Sequence, residues 1–437
     1  MMSIMLTAVR HAGLLALVAA PVALFAPGAL AQSAFEDCAA EAASQWEPGY
    51  EAIGKDTFLI DTETAIAACQ AALEADPDSA QLKGWLGRAY YANGQKDLAV
   101  PLFEEAAADG NLVALALLGD MLISADSVAQ DMARGSELLT SAADAGFAPA
   151  QNSLGLSYDF GEGVEQNYEQ AVHWYRMAAE QGLPRAETNL GIMYQEGLGV
   201  SRDYVAAAAW LERAADKGDP SGQYNLGKIH EEGLMVPVDY VRAADLYRLA
   251  ADQGDRFAQT SLGFFYEMGM GVEADVSAAA ELYQQAADQD YPQAQHNLAV
   301  LYEDGRGVPQ DYEKALQYYT LAANAGNSDA AVNLGLLYFN GYGTPVDNDE
   351  GLRWTQTAAD AGNAVGLNNL GHAYEHGLGV SANREMAMEY YQQSADLGYQ
   401  LGLDNLTRLQ GTPAEEAEPQ EQQPEEEQTR TRDKLKN

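Results

Sequence analysis

Residues 185–218 read RAETNLGIMYQEGLGVSRDYVAAAAWLERAADKG. Ala186, Leu190 and Tyr194 recur every four residues, which keeps them on one face of a helix. Gly191 sits inside that helix, where glycine costs about 1 kcal/mol against alanine. Its value must lie in letting a neighbouring helix come close. The run from Gly197 to Val200 then ends the helix, because glycine supplies a positive φ at little steric cost. Asp203 carries the acceptor that caps a second helix. Ala207, Leu211 and Ala214-Ala215 give that helix a small-residue face, and Gly218 closes it. The stretch predicts one helix–loop–helix pair.

The pair repeats at a fixed period with no insertion. Leu-Gly recurs at Leu118, Leu154, Leu190, Leu226, Leu262, Leu334 and Leu370, while Leu298 is followed by Ala299. The predicted caps keep the same spacing: Asp131, Asn167, Asp203, Asp239, Asp275, Asp311, Asp347 and Asn383. A period in this range is the signature of a solenoid, in which each unit buries its apolar face only against its neighbours.

The pattern A-x3-LG-x2-Y-x2-G-x-GV-x2-D-Y-x2-A-x2-WY-x2-AA-x2-G resembles the Sel-one-like repeat, a relative of the tetratricopeptide repeat. Gln151–Gly182 and Arg185–Gly218 match it at nearly every position. Departures fall at Ser127, Met235, Asp290 and Thr344, and the first unit lacks the loop glycines. The resemblance implies an all-α fold, an α/α superhelical solenoid that presents a binding surface, and no enzymatic chemistry by itself. The expected divisions are a leader at 1–31, a disulfide-bearing helical cap at 32–77, and a tetratricopeptide-like unit at 78–110. Eight Sel-one-like repeats at 111–398, a cap helix at 399–410 and a charged tail at 411–437 follow. The tail has nothing to bury and is expected to be disordered.

The first 31 residues read as a targeting segment, with Arg10, an apolar run from Ala12 to Phe25, and Ala29-Leu30-Ala31 before an expected cut. A periplasmic or secreted protein follows, with no membrane span in the mature chain. Cys38 and Cys69 are the two cysteines. In an oxidising compartment an even count reads as one disulfide, the alternative being two buried thiols.

The formal charge of −41 argues against nucleic acid as a partner and favours a protein or peptide of basic and apolar character. No catalytic residue, cofactor or metal site is expected. His372 and His376 stand four apart, but no third ligand accompanies them. In tetratricopeptide arrays the groove is lined by first helices. That resemblance maps a mainly apolar column onto Leu156, Ile192, Phe264, Val300, Leu336 and His372. A mainly acidic column falls one turn on, at Glu231, Glu267 and Glu303. The alternative is that the apolar column is core and the acids a solvated edge.

The expected function is an exported scaffold for protein–protein interaction, a regulator of envelope signalling or of cell-wall or polar assembly. A repeat-built envelope enzyme, a β-lactam- or peptidoglycan-interacting protein, and a secreted host-interaction factor are the alternatives.

Overall fold

Aspartate and asparagine begin most of the helices in this chain, and glycine ends most of the first helices. The computed structural model describes residues 27–234 and 237–411. The expected leader up to residue 26 and the tail from 412 lie outside the described residues. The chain forms two compact units, residues 1–166 and 167–437, and every described helix is α apart from one 3-10 turn at Thr57–Leu59.

The first unit holds α1 (Pro27–Ala42), α2 (Thr62–Ala75), α3 (Ala80–Ala92) and α4 (Lys96–Ala108). It continues with α5 (Leu112–Ser124), α6 (Met132–Asp144) and α7 (Ala148–Phe160). The second begins with α8 (Tyr168–Glu180), α9 (Pro184–Glu196), α10 (Tyr204–Asp216), α11 (Pro220–Glu232) and α12 (Tyr240–Asp252). Next come α13 (Arg256–Met268), α14 (Val276–Ala287), α15 (Pro292–Asp304) and α16 (Tyr312–Asn324). It ends with α17 (Ser328–Asn340), α18 (Asn348–Asp360), α19 (Ala364–His376), α20 (Arg384–Asp396) and α21 (Gln400–Gly411). Within each unit, successive helices pack antiparallel as an all-α solenoid.

All eight expected caps work. The side chains of Asp131, Asn167, Asp203, Asp239, Asp275, Asp311, Asp347 and Asn383 each accept a backbone N–H of the following helix. Such a cap contributes about 1 kcal/mol. The first helices divide the task. Asn111, Asp219, Asp255, Asn327 and Asn363 cap with their side chains. Where Phe147, Leu183 or Tyr291 stands instead, a proline occupies the first turn and removes an N–H that would need a partner.

The mid-helix glycine faces the second helix of its own repeat. A β-carbon on Gly263 would lie 2.8 Å from Cε1 of Tyr283, and one on Gly191 would lie 2.7 Å from Cγ of Leu211. The second loop glycine stacks repeats. A β-carbon on Gly271 would lie 2.2 Å from the Tyr240 carbonyl oxygen of the preceding repeat. The first repeat keeps the loop shape without glycine, with Ala125 at φ 57° and Ser127 at φ 63°. Asp290 does the same at φ 57° after α14. A left-handed residue with a side chain costs roughly 1–2 kcal/mol, so the stacking holds these positions against their preference.

Between repeats, Gln151, Gln223, Gln259 and Gln295 each donate to a carbonyl in the last turn of the preceding second helix, at 3.1–3.4 Å. At the N-terminal end the Cys38 and Cys69 sulfurs lie at bonding distance, 2.04 Å, linking α1 to α2. Arg88 is buried and donates to the carbonyls of Ala42, Ala43 and Lys55. Burial lowers its pKa to about 10. Glu47, also buried, accepts from Trp85 Nε1 at 2.9 Å and from Gln81 at 2.6 Å.

Helix α1 runs unbroken through the expected cut after Ala31 and stops at Ala42. At the other end α21 buries Leu406 and Leu409 against Ala387 and Tyr391, while Leu403 is 46% exposed.

Candidate functional site

The residue after each Leu-Gly step lies on the first helix of its repeat. Leu156 of α7 is half-buried in the first unit. In the second unit Ile192, Lys228, Phe264, Val300, Leu336 and His372 are all half-buried. Each therefore touches its own core while leaving part of its surface open. Phe264 packs on the cluster around Tyr247 and Phe265, and Val300 and Leu336 on that around Tyr319 and Leu334.

The acids one turn on are tied to the second helices rather than standing as the solvated edge of the alternative reading. Tyr247 donates to Glu231 at 2.5 Å, Tyr283 to Glu267 at 3.0 Å, Tyr319 to Glu303 at 2.8 Å and Tyr391 to Glu375 at 2.8 Å. In each pair the tyrosine lies on the second helix of the same repeat, sixteen residues on. The four tyrosines are buried. Burial, then the adjacent carboxylate, pushes each hydroxyl's pKa far above its ordinary value, so it stays protonated and donates. Glu303 is itself buried, which removes it from any open rim.

Cations reach two of these carboxylates. Arg306, in the loop after α15, donates to Glu267 at 2.5 Å. Arg408 of α21 grips Glu375 with both nitrogens, at 2.6 and 2.7 Å. Burial would raise the Glu375 pKa, but the bonds from Arg408 and Tyr391 outweigh it and the net shift is downward. Among the described residues no cation forms an ion pair with Glu231, and its pKa is raised, chiefly by burial.

His372 and His376 bring their rings to 4.3 Å. Burial, aided by His376, lowers the His372 pKa to about 4. Among the described residues no three His, Cys, Asp or Glu side chains converge as a metal site. Sequence reasoning missed Asp120, which lies on α5 just after its Leu-Gly step. Burial raises its pKa to about 7, opposed by the Ser153 hydroxyl at 3.1 Å. An open cleft of about 570 Å³ lies between α1 and α2, lined by Asp37, Glu41 and Glu63 among others. Lys55 already pairs with Glu41 there, at 2.5 Å.

The geometry is that of stacked helix pairs, and comparison with known proteins agrees. The Sel1 repeat model matches eight consecutive spans, 112–147, 148–183, 184–219, 220–255, 256–291, 292–327, 328–363 and 364–399. This chain belongs to the Sel1 repeat family. A tetratricopeptide repeat model matches residues 61–112, so that match takes in α2 as well as α3 and α4. A Sel1 repeat protein from Oxalobacter formigenes is 31% identical, with 70% of this chain and 89% of that one covered and a TM-score of 0.51. The protective antigen c5321, present in uropathogenic Escherichia coli strains and displaying an SLR fold, is 28% identical. That comparison covers 89% of this chain and 91% of the antigen, with a TM-score of 0.48. A search of curated proteins finds no match. As a Sel1 and tetratricopeptide repeat scaffold the protein has the architecture suited to protein partners. Among the described residues no helix is long and apolar enough to cross a membrane.

Proposed function

We propose that the protein is an exported scaffold that holds a segment of a partner protein along the first helices of its second unit, as a periplasmic regulator of envelope signalling or of a cell-wall or polar assembly. The observation that carries this reading is the column Ile192, Phe264, Val300, Leu336 and His372. The successive first helices from α9 to α19 repeat one geometry, each offering a half-buried side chain at the same height. A row of partly open and mostly apolar side chains, with Lys228 among them, suits an extended or helical segment with apolar anchors at intervals. The excess of acidic residues favours a partner with basic flanks. Export is supported by the apolar leader sequence and by the Cys38–Cys69 pair, which persists in oxidising compartments.

The test is affinity capture from envelope extract with the wild-type chain and with Phe264→Ala/Leu336→Ala, followed by binding of the purified partner to both. Loss of one co-purifying protein with the double variant supports the reading. Identical capture by both chains contradicts it.

A further inference from the structure

The protein contains its own example of a guanidinium bound on this face. At Glu267 two groups meet one carboxylate: the Tyr283 hydroxyl on Oε2 at 3.0 Å, and Arg306 Nη2 on Oε1 at 2.5 Å. The arginine comes from the loop of the following repeat. Shifted back by one repeat, Tyr283 becomes Tyr247, Glu267 becomes Glu231 and Arg306 becomes Met270. The tyrosine half of the arrangement is present there, with Tyr247 donating to Glu231 Oε2 at 2.5 Å. The cation is not. No salt bridge among the described residues reaches Glu231, and Lys228, one turn back, pairs with Glu232 at 3.8 Å.

We propose that Glu231 is the anchor for an arginine side chain of the partner, which would take the position that Arg306 takes on Glu267. The inference rests on the reading of the first-helix face as the binding face, and it narrows the partner to a segment with an arginine beside an apolar residue. Three features fit that ligand. Glu231 is a partly desolvated carboxylate whose burial raises its pKa, so an incoming cation relieves a cost already present. The register counterparts of Val300, Asp304 and Arg306 are Phe264, Met268 and Met270, so Glu231 stands without the second carboxylate that meets Arg306 at 3.5 Å. It stands instead among apolar, adaptable positions: Phe264 and Met270 are half-buried, and Met268 is 58% exposed. Guanidinium is more weakly hydrated than ammonium and presents a planar fork, so it enters such a place with less loss than lysine.

The experiment uses the full mature chain and a defined probe, acetyl-Leu-Arg-Leu-amide whose first leucine is photoreactive. A second probe carries citrulline, which keeps the shape of arginine without its charge. After irradiation, labelled positions are located by mass spectrometry. The arginine probe is expected to label the stretch containing Phe264, Met268 and Met270 about tenfold more than the citrulline probe. Two variants should each cut that labelling about tenfold. Glu231→Gln removes the charge but leaves an acceptor for Tyr247. Met270→Arg supplies the cation from within, as Arg306 does, and should melt no lower than wild type. Equal labelling by the two probes, or undiminished labelling of Met270→Arg, would overturn the proposal. Labelling confined to the Val300–Leu336 stretch would overturn the Glu231 assignment while leaving the binding face in place. A captured partner that ignores Phe264→Ala/Leu336→Ala would remove the face itself.

Discussion

The Tyr283 hydroxyl donates to the Glu267 carboxylate across 3.0 Å, and the ring of the same tyrosine lies against Gly263. One side chain thus ties the second helix of a repeat to its first at two points. The same pair recurs as Tyr247–Glu231, Tyr319–Glu303 and Tyr391–Glu375. In three repeats both members have changed, to Ile123 and Leu139, to Gln195 and Leu211, and to Phe339 and Thr355.

Tyr283→Phe should therefore cost about 1.5–3 kcal/mol, the value of a hydrogen bond to a charged group. Glu267→Gln should cost less when combined with Tyr283→Phe than it does alone. A double-mutant cycle by urea unfolding measures this. Additive effects would show that the bond contributes nothing.

Gly263→Val places a branched side chain where a β-carbon already meets Tyr283 at 2.8 Å. Overpacking of this kind costs roughly 1–3 kcal/mol. Glu281→Ala, an exposed change on the facing α14, should shift stability by less than about 0.5 kcal/mol. Equal melting temperatures would show that the close approach is not a stability contact.

His372 has its pKa lowered to about 4 by burial and by His376. Its folded pKa lies below its unfolded value, so the unfolded chain binds the proton first. The neutral ring's contribution is complete above about pH 6.5 and is lost as pH falls towards 4. His372→Leu, which copies Leu336 in the same column, should remove about 2 kcal/mol of the stability loss between pH 7 and pH 4.5. Urea midpoints of both proteins at the two pH values measure it. Parallel losses would place the acid sensitivity elsewhere.

The Cys38–Cys69 link closes a loop of about thirty residues, for which the chain-entropy model gives roughly 3 kcal/mol. Cys38→Ser/Cys69→Ser should lose about that much, with hydrogen exchange rising first in α1 and α2. A non-reducing peptide map of the wild type should show the linkage. Full alkylation of both residues without reductant would contradict it.

The repeat, its caps and its helix ends were legible in the sequence because each rests on one residue type at one spacing: Leu190-Gly191 for close packing, Asp203 for the cap, Gly197 for the turn. The loop after α5 was harder, since Ala125 and Ser127 adopt left-handed φ against their own preference. Their neighbours impose it. The tyrosine partners of the acidic column were not legible for a related reason. Composition makes Glu267 look like one more surface acid among many, and its partner Tyr283 looks like core. Only their joint replacement at Ile123/Leu139, Gln195/Leu211 and Phe339/Thr355 marks them as a pair. Arg306 reaches Glu267 from another repeat, a relation that periodicity within one repeat does not contain.

The partner is assigned to the half-buried row on the first helices. The most direct test is the Kd of the captured partner for three chains: wild type, Phe264→Ala/Leu336→Ala, and Leu249→Ala/Leu321→Ala. The last pair are second-helix leucines, about half exposed. A loss of tenfold or more is expected for the first variant, with helicity unchanged, and a change under about twofold for the second. Weakened binding by the Leu249/Leu321 variant with wild-type binding by the Phe264/Leu336 variant would contradict the assignment.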